Sequence, residues 1–284
     1  MNDISIVIVT YYTTDILFQS ISSCLMMKGI KDVIIVNNGN PKEDEKKLES
    51  MDLAGQITLV TGHGNIGFSR ACNLGAHTAS GEYIIFMNPD CYTQDTNYAI
   101  KLRDALKHNP QYWFVTSLIL NSDNTIQKTC RRNLMNISNA LSESLGLDKI
   151  GIEKISRPTE EINNLPPISD LEAFSGALFA CSKSKFHKVG GLSEEYFLHV
   201  EDMDLCMKIK NTGGKIGFLK DASIHHALST SKVTNKFLEY HKAIGFIIYF
   251  QKFYPLLRNP VLSSILKGAI WVRYHLKIWI FSKC

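Results

Sequence analysis

The sequence has little net charge, no CxxC pair and no long apolar run, and each absence excludes a class of protein. Lysine and arginine number 31 against 27 acidic residues, a net charge of +4 over 284 residues. This excess is too small to indicate nucleic-acid binding. The longest uncharged apolar run, residues 243–250, is far shorter than the ~18 residues of a membrane-spanning helix.

The seven cysteines are scattered singly along the chain, which argues against a disulfide scaffold or a CxxC zinc site. Single cysteines in a chain of this length are typical of a reducing compartment. The first residues lack the basic segment of a secretory signal, so none is expected. We therefore expect a cytoplasmic protein.

The modest net charge hides an uneven distribution. Residues 240–284 contain seven basic residues, many aromatic residues and no aspartate or glutamate, which leaves 24 basic and 27 acidic residues in 1–239. A slightly acidic body therefore precedes a basic, aromatic tail. Such a tail suits the surface of an anionic membrane, and the alternative is a helical pair that packs on the body or on a second subunit.

Short β-branched runs alternate with helical stretches over the first 120 residues. Strands are expected at residues 4–10, 33–36, 57–60, 83–87 and 113–120, with helices near 15–27, 41–51, 68–78 and 97–107. This alternation predicts βαβ units and a mostly parallel sheet. Residues 121–170 are polar and proline-containing, so we expect an irregular loop region there. A helix at 201–211 and a strand at 215–219 should follow.

Polar turns follow three of these strands, at the sheet edge where ligands of such folds bind. The turn Asn88-Pro89-Asp90 offers a carboxylate that could hold a hard divalent cation against a diphosphate, although a simple turn explains the same tripeptide. Residues 62–67 match GxGxxG. They follow the third strand rather than the first, so a turn closing over a ligand other than a dinucleotide is favoured.

Two later clusters could carry chemistry. Glu201, Asp202 and Asp204 crowd like charges together, which raises proton affinity and suits a general base. Capping of a helix by acids in its first turn is the alternative. His225 and His226 follow a strand, where they could bind a metal or serve a structural role.

Taken together, these segments resemble the family 2 inverting glycosyltransferases of the GT-A fold, and most of all the bacterial rhamnosyltransferase-type enzymes of polysaccharide and O-antigen assembly. The similarity runs from residue 4 to about residue 231. Its segments, in chain order, are SIVIVTY (5–11), VIIVNN (33–38), GNIGFSRACNLG (64–75), FMNPD (86–90), SGA (175–177), VGGL (189–192), EDMDLC (201–206) and IHH (224–226). Each segment is weak alone, but the ordered set replaces the dinucleotide interpretation of residues 62–67.

The resemblance implies an α/β, Rossmann-like GT-A fold with a mostly parallel central sheet and a C-terminal helical tail. Residues 1–239 would form the catalytic domain, with a nucleotide-sugar-binding half (1–120) and an acceptor and catalytic half (121–239). Residues 240–284 would form the tail.

The resemblance also implies roles for individual residues. Asp202 would be the catalytic base, with Glu201 as the less favoured choice. Asp90 would bind Mn²⁺ or Mg²⁺, with His225 or His226 near the metal and the diphosphate. The donor-binding residues would be Thr10, Tyr11, Asn37, Asn65, Gly67, Phe68, Arg70, Asn73, Asn88, Asp90 and Gly176.

Two positions depart from the family pattern. Asn37 stands where the family usually has aspartate, and Asn88 stands at the first aspartate of the DxD metal motif. Asn37 can still hydrogen-bond a base or ribose, but it does so without charge. Metal binding would depend on Asp90, the diphosphate and a histidine.

The expected activity is inverting transfer of a sugar from a UDP- or dTDP-sugar to a hydroxyl of a glycan or lipid-linked oligosaccharide. The expected setting is cell-surface polysaccharide synthesis at the inner face of the cell membrane, with homo-oligomer formation through the tail as a further option. The alternatives are a non-catalytic nucleotide-sugar-binding or scaffold protein of the same fold and a nicotinamide-dependent enzyme.

Overall fold

A computed structural model describes residues 2–13, 15–139, 162–227 and 234–282. The strands are β1 (Ile4–Thr10), β2 (Ile30–Asn37), β3 (Thr58–Val60), β4 (Tyr83–Met87), β5 (Cys91–Tyr92), β6 (Tyr112–Leu120), β7 (Ile168–Leu171), β8 (Leu178–Ser182) and β9 (Lys215–His226). The α-helices are α1 (Ile16–Leu25), α2 (Lys42–Leu53), α3 (Phe68–Thr78), α4 (Tyr98–His108), α5 (Lys183–Lys188), α6 (Glu201–Asn211), α7 (Asn235–Phe253) and α8 (Pro260–Phe281).

The strands form one sheet in the order β3-β2-β1-β4-β8-β6-β9-β5, and β7 pairs with β9. Its first half is parallel, because β1 pairs in that sense with β2 and β4, and β2 with β3. Every residue of β1 is buried, as its β-branched run predicts for a central parallel strand. The α/β fold class predicted from the alternation is confirmed.

The second half of the sheet is mixed. The β8 strand runs antiparallel between β4 and β6, whereas β6 and β9 are parallel. The β9 strand continues to His226, well past the predicted end at residue 219. Its pairing with β6 slips between Leu219 and Ser223, and the polar pair Lys220-Asp221 lies in that bulge. The bulge interrupts the apolar pattern, so the sequence predicted a strand end there.

The tail is a pair of helices. The Thr234 hydroxyl accepts a hydrogen bond from the Phe237 amide at the start of α7, and Asn259 caps α8 ahead of Pro260. The α7 helix begins at Asn235, slightly before the predicted start of the tail at residue 240. No helix of the described residues is long and apolar enough to cross a membrane.

The region expected to be an irregular loop, 121–170, is described only in part. Its described residues contain a short 3₁₀ turn (Lys128–Cys130), a turn of one more such helix at Ile162–Asn164, and β7. Residues 140–161, and with them Pro158, lie outside the described residues.

Candidate active site

A cavity of about 330 Å³ opens beyond the carboxyl ends of β1 and β4. Ligands of open α/β sheets bind at this edge. Five parts of the chain form most of its wall: the turn after β1, the turn after β4, the start of α3, residues 197–199, and the first turn of α7. Asn38 and His226 complete it. Residues far apart in sequence therefore meet around one space.

Asp90 and His226 face each other in the wall of this cavity. The Asp90 Oδ1 atom lies 3.1 Å from His226 Nε2, and Asn88 Nδ2 lies 3.3 Å from the same ring nitrogen. The pairing of β5 with β9 sets this approach, because it places Cys91 opposite His226. Both side chains are largely buried, so the carboxylate and the imidazole form a compact pair of oxygen and nitrogen donors.

Gln127 determines which nitrogen of His226 carries the proton. Its amide Nε2 donates to the His226 carbonyl (2.9 Å), and its Oε1 lies 3.1 Å from His226 Nδ1. An amide oxygen only accepts, so Nδ1 must be the protonated nitrogen. In the neutral ring the lone pair of Nε2 then points toward Asp90, which is how metal-binding histidines are usually held. The pair therefore fits a divalent cation.

Cys91 belongs to the same cluster, because its sulfur and the donor atoms of Asp90 and His226 all lie within 4.8 Å of one another. Its thiol donates to the Ala177 carbonyl at 3.6 Å. Burial, with the nearby Asp90 charge adding to it, raises the pKa of the Cys91 thiol well above its ordinary value. A protonated thiol is a poor ligand for Mn²⁺ or Mg²⁺, so Asp90 and His226 are the donors that count.

His225 faces away from this cluster. Its Nε2 lies 2.8 Å from Asn124 Oδ1, and its ring stacks on Tyr92 with centroids 5.2 Å apart. Successive side chains of a strand point to opposite faces. The sequence left His225 and His226 open as alternatives, and only His226 lies beside Asp90.

Five of the residues predicted to bind a donor, and Asp90 with them, line the cavity: Tyr11, Asn65, Gly67, Phe68 and Asn88. The start of α3 is held tightly there. The Phe68 amide donates to the Phe197 carbonyl at 2.7 Å, and a Cβ on Gly67 would lie 2.7 Å from the same oxygen. Gly67 also has φ +84°, so both space and conformation favour glycine.

Asn38 lines the same wall and was not predicted. It is 3% exposed, and its Nδ2 donates to the Gly67 carbonyl at 3.2 Å. Its Oδ1 has no hydrogen-bond partner among the described residues. Buried polar atoms are normally paired, so this oxygen is available to an N–H or O–H group of a ligand. The sequence signal for Asn38 was its position next to Asn37 in the segment VIIVNN (33–38).

Thr10 and Asn37, predicted to line the nucleoside pocket, point the other way. The Thr10 hydroxyl hydrogen-bonds Asn40, and Asn37 Oδ1 accepts from Asn40 Nδ2 at 2.8 Å. Each lies one residue before a side chain that does line the cavity, Tyr11 and Asn38, as strand alternation requires. Thr10 and Asn37 therefore shape the turns that carry the lining residues.

Arg70 and Asn73 also lie outside the cavity lining. Arg70 is exposed, 3.7 Å from the Glu194 carboxylate, and Asn73 pairs with both backbone groups of Leu192 at 2.9 Å. At the pitch of an α-helix they lie roughly 200° and 140° around α3 from Phe68. These contacts hold α3 against residues 192–194, which precede α6.

Asp202 is held by three donors at the start of α6. Its Oδ2 lies 2.5 Å from Arg132 Nη2 and accepts from the Gly176 amide at 3.0 Å, while Oδ1 accepts from the Met203 amide at 2.8 Å. Burial alone would raise the pKa of Asp202, but the Arg132 charge and these hydrogen bonds outweigh burial and lower it. The carboxylate is therefore ionised at neutral pH.

The Gly176-Ala177 dipeptide ties this helix start to the turn after β4. The Gly176 amide binds Asp202, and the Ala177 carbonyl accepts from the Asn88 amide at 2.9 Å. Asp202 is therefore linked to the Asn88–Asp90 turn through this dipeptide, although Asp202 itself is not among the residues that line the cavity. Gly176, predicted to bind a donor, contacts Asp202 and is not among the residues that line the cavity.

Glu201 is the neighbouring carboxyl in a different environment. It is 5% exposed, and its Oε2 has no hydrogen-bond partner among the described residues. Burial, with repulsion from Asp202, raises the pKa of Glu201 to about 8. The adjacent carboxyls are thus held in opposite protonation states at neutral pH.

Asp204 connects α6 to the tail. It accepts from Ser193 Oγ at 2.6 Å and from the Tyr196 hydroxyl at 3.1 Å, and Lys252 Nζ of α7 lies 2.7 Å from its Oδ1. Because all three of its partners are protein groups, Asp204 has a structural role. It joins α6 to residues 193–196 and to α7, which is more than the helix capping considered from the sequence.

The residues before α6 have an unusual backbone. His199 and Val200 have φ of 69° and 73°, in the left-handed region that β-branched residues rarely adopt. Gly245 of α7 packs directly on them, since a Cβ there would lie 2.9 Å from the His199 carbonyl oxygen and from Val200 Cγ2. Such conformations persist where the surroundings enforce them, and they cluster at functional sites.

The α7 helix also closes one side of the cavity. Phe237 and Leu238 line it, and the Phe197 ring packs against Phe237 and His241 with centroids 5.9 and 4.6 Å apart. The sequence carried no sign of this contact beyond the aromatic character of the tail. Arg132 was missed as well, because it lies in the region predicted to be loop and meets Asp202 only in the folded chain.

The sequence matches the profile of Glycosyl transferase family 2 over residues 5–182, and that of the N-terminal domain of galactosyltransferase over residues 156–233. The low-salt glycan biosynthesis hexosyltransferase Agl10 of Haloferax volcanii is 21% identical over 283 residues, 96% of this chain and 85% of that protein. The rhamnosyltransferase WbbL of Escherichia coli K12 is 23% identical over 150 residues, 52% of this chain and 54% of its own.

Two solved structures share the architecture. GalNAc-T7 with UDP, GalNAc and Mn²⁺ has a TM-score of 0.64 at 17% identity, covering 86% of this chain and 48% of that one, so this chain spans about half its length. The mannosyltransferase PcManGT of Pyrobaculum calidifontis with GDP-Man and Mn²⁺ has a TM-score of 0.59 at 14% identity, covering 95% and 73%. At these identities the likeness is one of fold.

The family profile spans more than half of the chain, and the sheet and the Asp90 carboxylate at its carboxyl edge agree with it. The protein belongs to glycosyl transferase family 2 and has the GT-A fold.

Proposed function

We propose that the protein transfers a sugar, with inversion, from a UDP- or dTDP-sugar to a hydroxyl of a glycan or lipid-linked oligosaccharide. One observation carries this proposal. The Asn88–Asp90 turn and the ionised Asp202 are hydrogen-bonded to the same dipeptide, Gly176-Ala177. A carboxylate for the diphosphate side and a base for the acceptor thus lie at one edge of the sheet.

The donor nucleotide would occupy the cavity beyond β1. Tyr11 offers an aromatic face, and Asn38 offers a buried amide oxygen without a partner among the described residues. Asn65 and Phe68 would border the nucleotide on the α3 side. An apolar wall with a few fixed polar groups is typical of nucleotide and cofactor pockets.

Asp90 and His226 would hold Mn²⁺ or Mg²⁺, with the donor diphosphate completing the site. When bound, such an ion offsets the charge that develops on the leaving diphosphate. The imidazole beside the carboxylate favours Mn²⁺, since Mg²⁺ prefers oxygen ligands. Gln127 keeps His226 Nε2 available for this role.

Asp202 would act as the general base. It takes the proton of an acceptor hydroxyl while that oxygen forms a bond to the sugar C1. The bond between C1 and the diphosphate oxygen breaks in the same displacement, and the nucleoside diphosphate leaves with the electron pair. Glu201 is buried and holds its own proton at neutral pH because of its raised pKa, so it is a poor acceptor there.

We infer a cytoplasmic enzyme at the inner face of the membrane, acting in cell-surface polysaccharide synthesis. The similarity to a hexosyltransferase of glycan biosynthesis supports a role in glycan synthesis. Six of the cysteines lie in described parts of the chain, and all are buried free thiols, which supports a reducing compartment.

Thermal unfolding with nucleotides tests the donor and metal assignments. UDP or dTDP with Mn²⁺ should raise the Tm by roughly 5–10 °C at a ligand concentration about 100 times Kd. Asp90→Asn should abolish the Mn²⁺-dependent part. Asp221→Asn, an exposed aspartate on the same strand as His226, should keep it. Equal shifts with and without Mn²⁺, or stabilisation by NAD(P) instead, would contradict the proposal.

A further inference from the structure

One face of α8 exposes large apolar side chains along its whole length. We define the apolar stripe as Val261, Ile265, Val272, Leu276, Trp279 and Ile280, whose exposure ranges from 49% to 65%. At the pitch of an α-helix they fall in a sector about 100° wide. Leu266, Ile270 and Tyr274 lie outside this sector, roughly 90–170° from its centre, and belong to the buried core.

Exposed apolar surface is concentrated in this stripe and its immediate surroundings. Among the described residues before the tail, only Tyr12, Leu25, Met26 and Leu53 are both large and exposed apolar side chains. Contiguous exposed apolar surface on a folded protein marks an interaction site. The stripe contains no charged residue, so whatever covers it must be apolar where it meets the helix.

The charge of the tail indicates which kind of partner would cover the apolar stripe. Arg258, Lys267 and Lys277 are exposed outside the stripe, and at the pitch of an α-helix Lys277 lies roughly 110° and Lys267 roughly 190° from its centre. Residues 240–284 contain no aspartate or glutamate. A second copy docked through the same stripe would bring together two tails of the same charge, with no carboxylate in either tail to pair them. An anionic bilayer complements both features, because its headgroups attract the basic tail while the apolar side chains and Trp279 enter the interface.

We propose that the apolar stripe of α8 docks the protein on the surface of an anionic lipid bilayer, with the helix lying in the plane of the interface. The helix contains 22 residues, which corresponds to about 33 Å of contact along the membrane. This mode of binding buries one face and leaves the other on the protein, so no spanning segment is needed.

The contacts of α8 place the bilayer near the active site. Arg273 pairs with Glu239 of α7 at 3.0 Å, and the Trp271 and Tyr240 rings lie 6.0 Å apart. The next residues back along α7, Leu238 and Phe237, line the cavity. The docked membrane would thus lie about two helix diameters, ~20 Å, from the site, because α8 and α7 both stand between the stripe and the cavity. This deepens the proposed function and rests on it, since it favours an acceptor carried on a lipid.

Flotation with vesicles tests the docking directly. The full chain is mixed with phosphatidylglycerol–phosphatidylcholine vesicles or with phosphatidylcholine vesicles alone, at low and high salt. We expect flotation with the anionic vesicles and weaker flotation at high salt. Val272→Ser with Leu276→Ser should reduce the bound-to-free ratio by roughly tenfold.

The matched control is Met26→Ser with Leu53→Ser, which removes exposed apolar side chains outside the tail and should float like the unmodified chain. Flotation that is unchanged by the α8 substitutions would overturn the proposal. So would a dimer in size-exclusion chromatography that the same substitutions dissociate, because the stripe would then bind a second copy. Nucleotide-induced Tm shifts, measured in parallel, report separately on the proposed function.

Discussion

The protonation of two adjacent carboxyls depends on what each touches. Asp202 meets the guanidinium of Arg132 and two backbone amides, whereas Glu201 is buried with one oxygen unpaired among the described residues. The pKa of Asp202 is lowered, and that of Glu201 is raised to about 8. Opposed environments of this kind separate the roles of paired carboxyls, and they favour Asp202 as the base.

Replacing Arg132 should change the pH dependence of the reaction. A base must be deprotonated, so kcat/KM falls as pH drops through the pKa of Asp202. Arg132→Gln removes the charge that lowers this pKa, and the acidic limb of the kcat/KM profile should move to higher pH. Arg132→Lys should restore part of the shift. The other groups that act on Asp202 or respond to it, Glu201, His199 and Cys206, are unchanged in these variants.

Arg103→Gln is the control for loss of a partly buried arginine. Arg103 is 17% exposed, close to the 16% of Arg132, and it pairs with Asp3 and Asp104. Its loss should lower stability without moving the profile. An acidic limb that stays in place in Arg132→Gln would contradict the role given to Arg132.

The choice between His225 and His226 illustrates a limit of sequence analysis. The strand was predicted to end at residue 219, so the sequence did not predict which way the side chains of residues 225 and 226 point. The observed β9 extends through both histidines, and its pairing with β5 turns His226 toward Asp90. Alternation then places His225 on the other face of the strand.

At the start of α3, Gly67 has both a positive φ and a close contact with the backbone of residue 197, and substitutions can separate the two effects. Gly67 and Gly64 have similar positive φ values, +84° and +68°. A Cβ on Gly67 would lie 2.7 Å from the Phe197 carbonyl oxygen, whereas one on Gly64 would meet nothing within 4 Å. The pair therefore separates backbone strain from steric clash.

Both Gly→Ala variants should lower the free energy of unfolding, by about 1 kcal/mol for the backbone conformation alone. Gly67→Ala should cost a further roughly 1–3 kcal/mol from overpacking against residue 197. It should also weaken nucleotide binding, because Phe197 and Gly67 both line the cavity. Urea unfolding and nucleotide titration measure the two effects, and equal stabilities of the two variants would refute the clash.

The tail helices belong to the site as much as to the surface. The α7 helix supplies Phe237 and Leu238 to the cavity wall, packs Gly245 on His199 and Val200, and pairs Lys252 with Asp204. The boundary predicted from composition, after residue 239, falls within this helix. Composition marked the change in charge correctly, but it could not report which surface of the helix is buried.

Over the whole molecule, the sequence predicted the four strands of the parallel half of the sheet, and in the other half it predicted β6 and the first part of β9 but not β5 or β7. The short apolar runs of β1 and β4, rich in β-branched and aromatic residues and followed by polar turns, favour buried strands. The two-residue β5 and the four-residue β7 carry too little pattern to be recognised. Contacts such as Arg132 with Asp202 join distant segments by tertiary packing, which local periodicity does not encode.

The ordered family segments nevertheless named several residues that the fold brings near one another. Asn88, Asp90 and His226 line one cavity, and Asp202 is joined to the Asn88–Asp90 turn through Gly176-Ala177. Thr10, Asn37, Arg70 and Asn73 do not line this cavity. Each lies on or beside an element that does contribute to the cavity but on another face of it, and a motif without a register does not specify the face.

The most direct test of the account is donor turnover by Asp202→Asn. Release of nucleoside diphosphate from a UDP- or dTDP-sugar is measured with Mn²⁺, alongside the Tm shift caused by the nucleotide. We expect kcat to fall by roughly 10²–10⁴-fold while the nucleotide shift is kept, and Glu201→Gln to lose far less. Near-normal turnover by Asp202→Asn with intact nucleotide binding would contradict the assignment of Asp202 as the base.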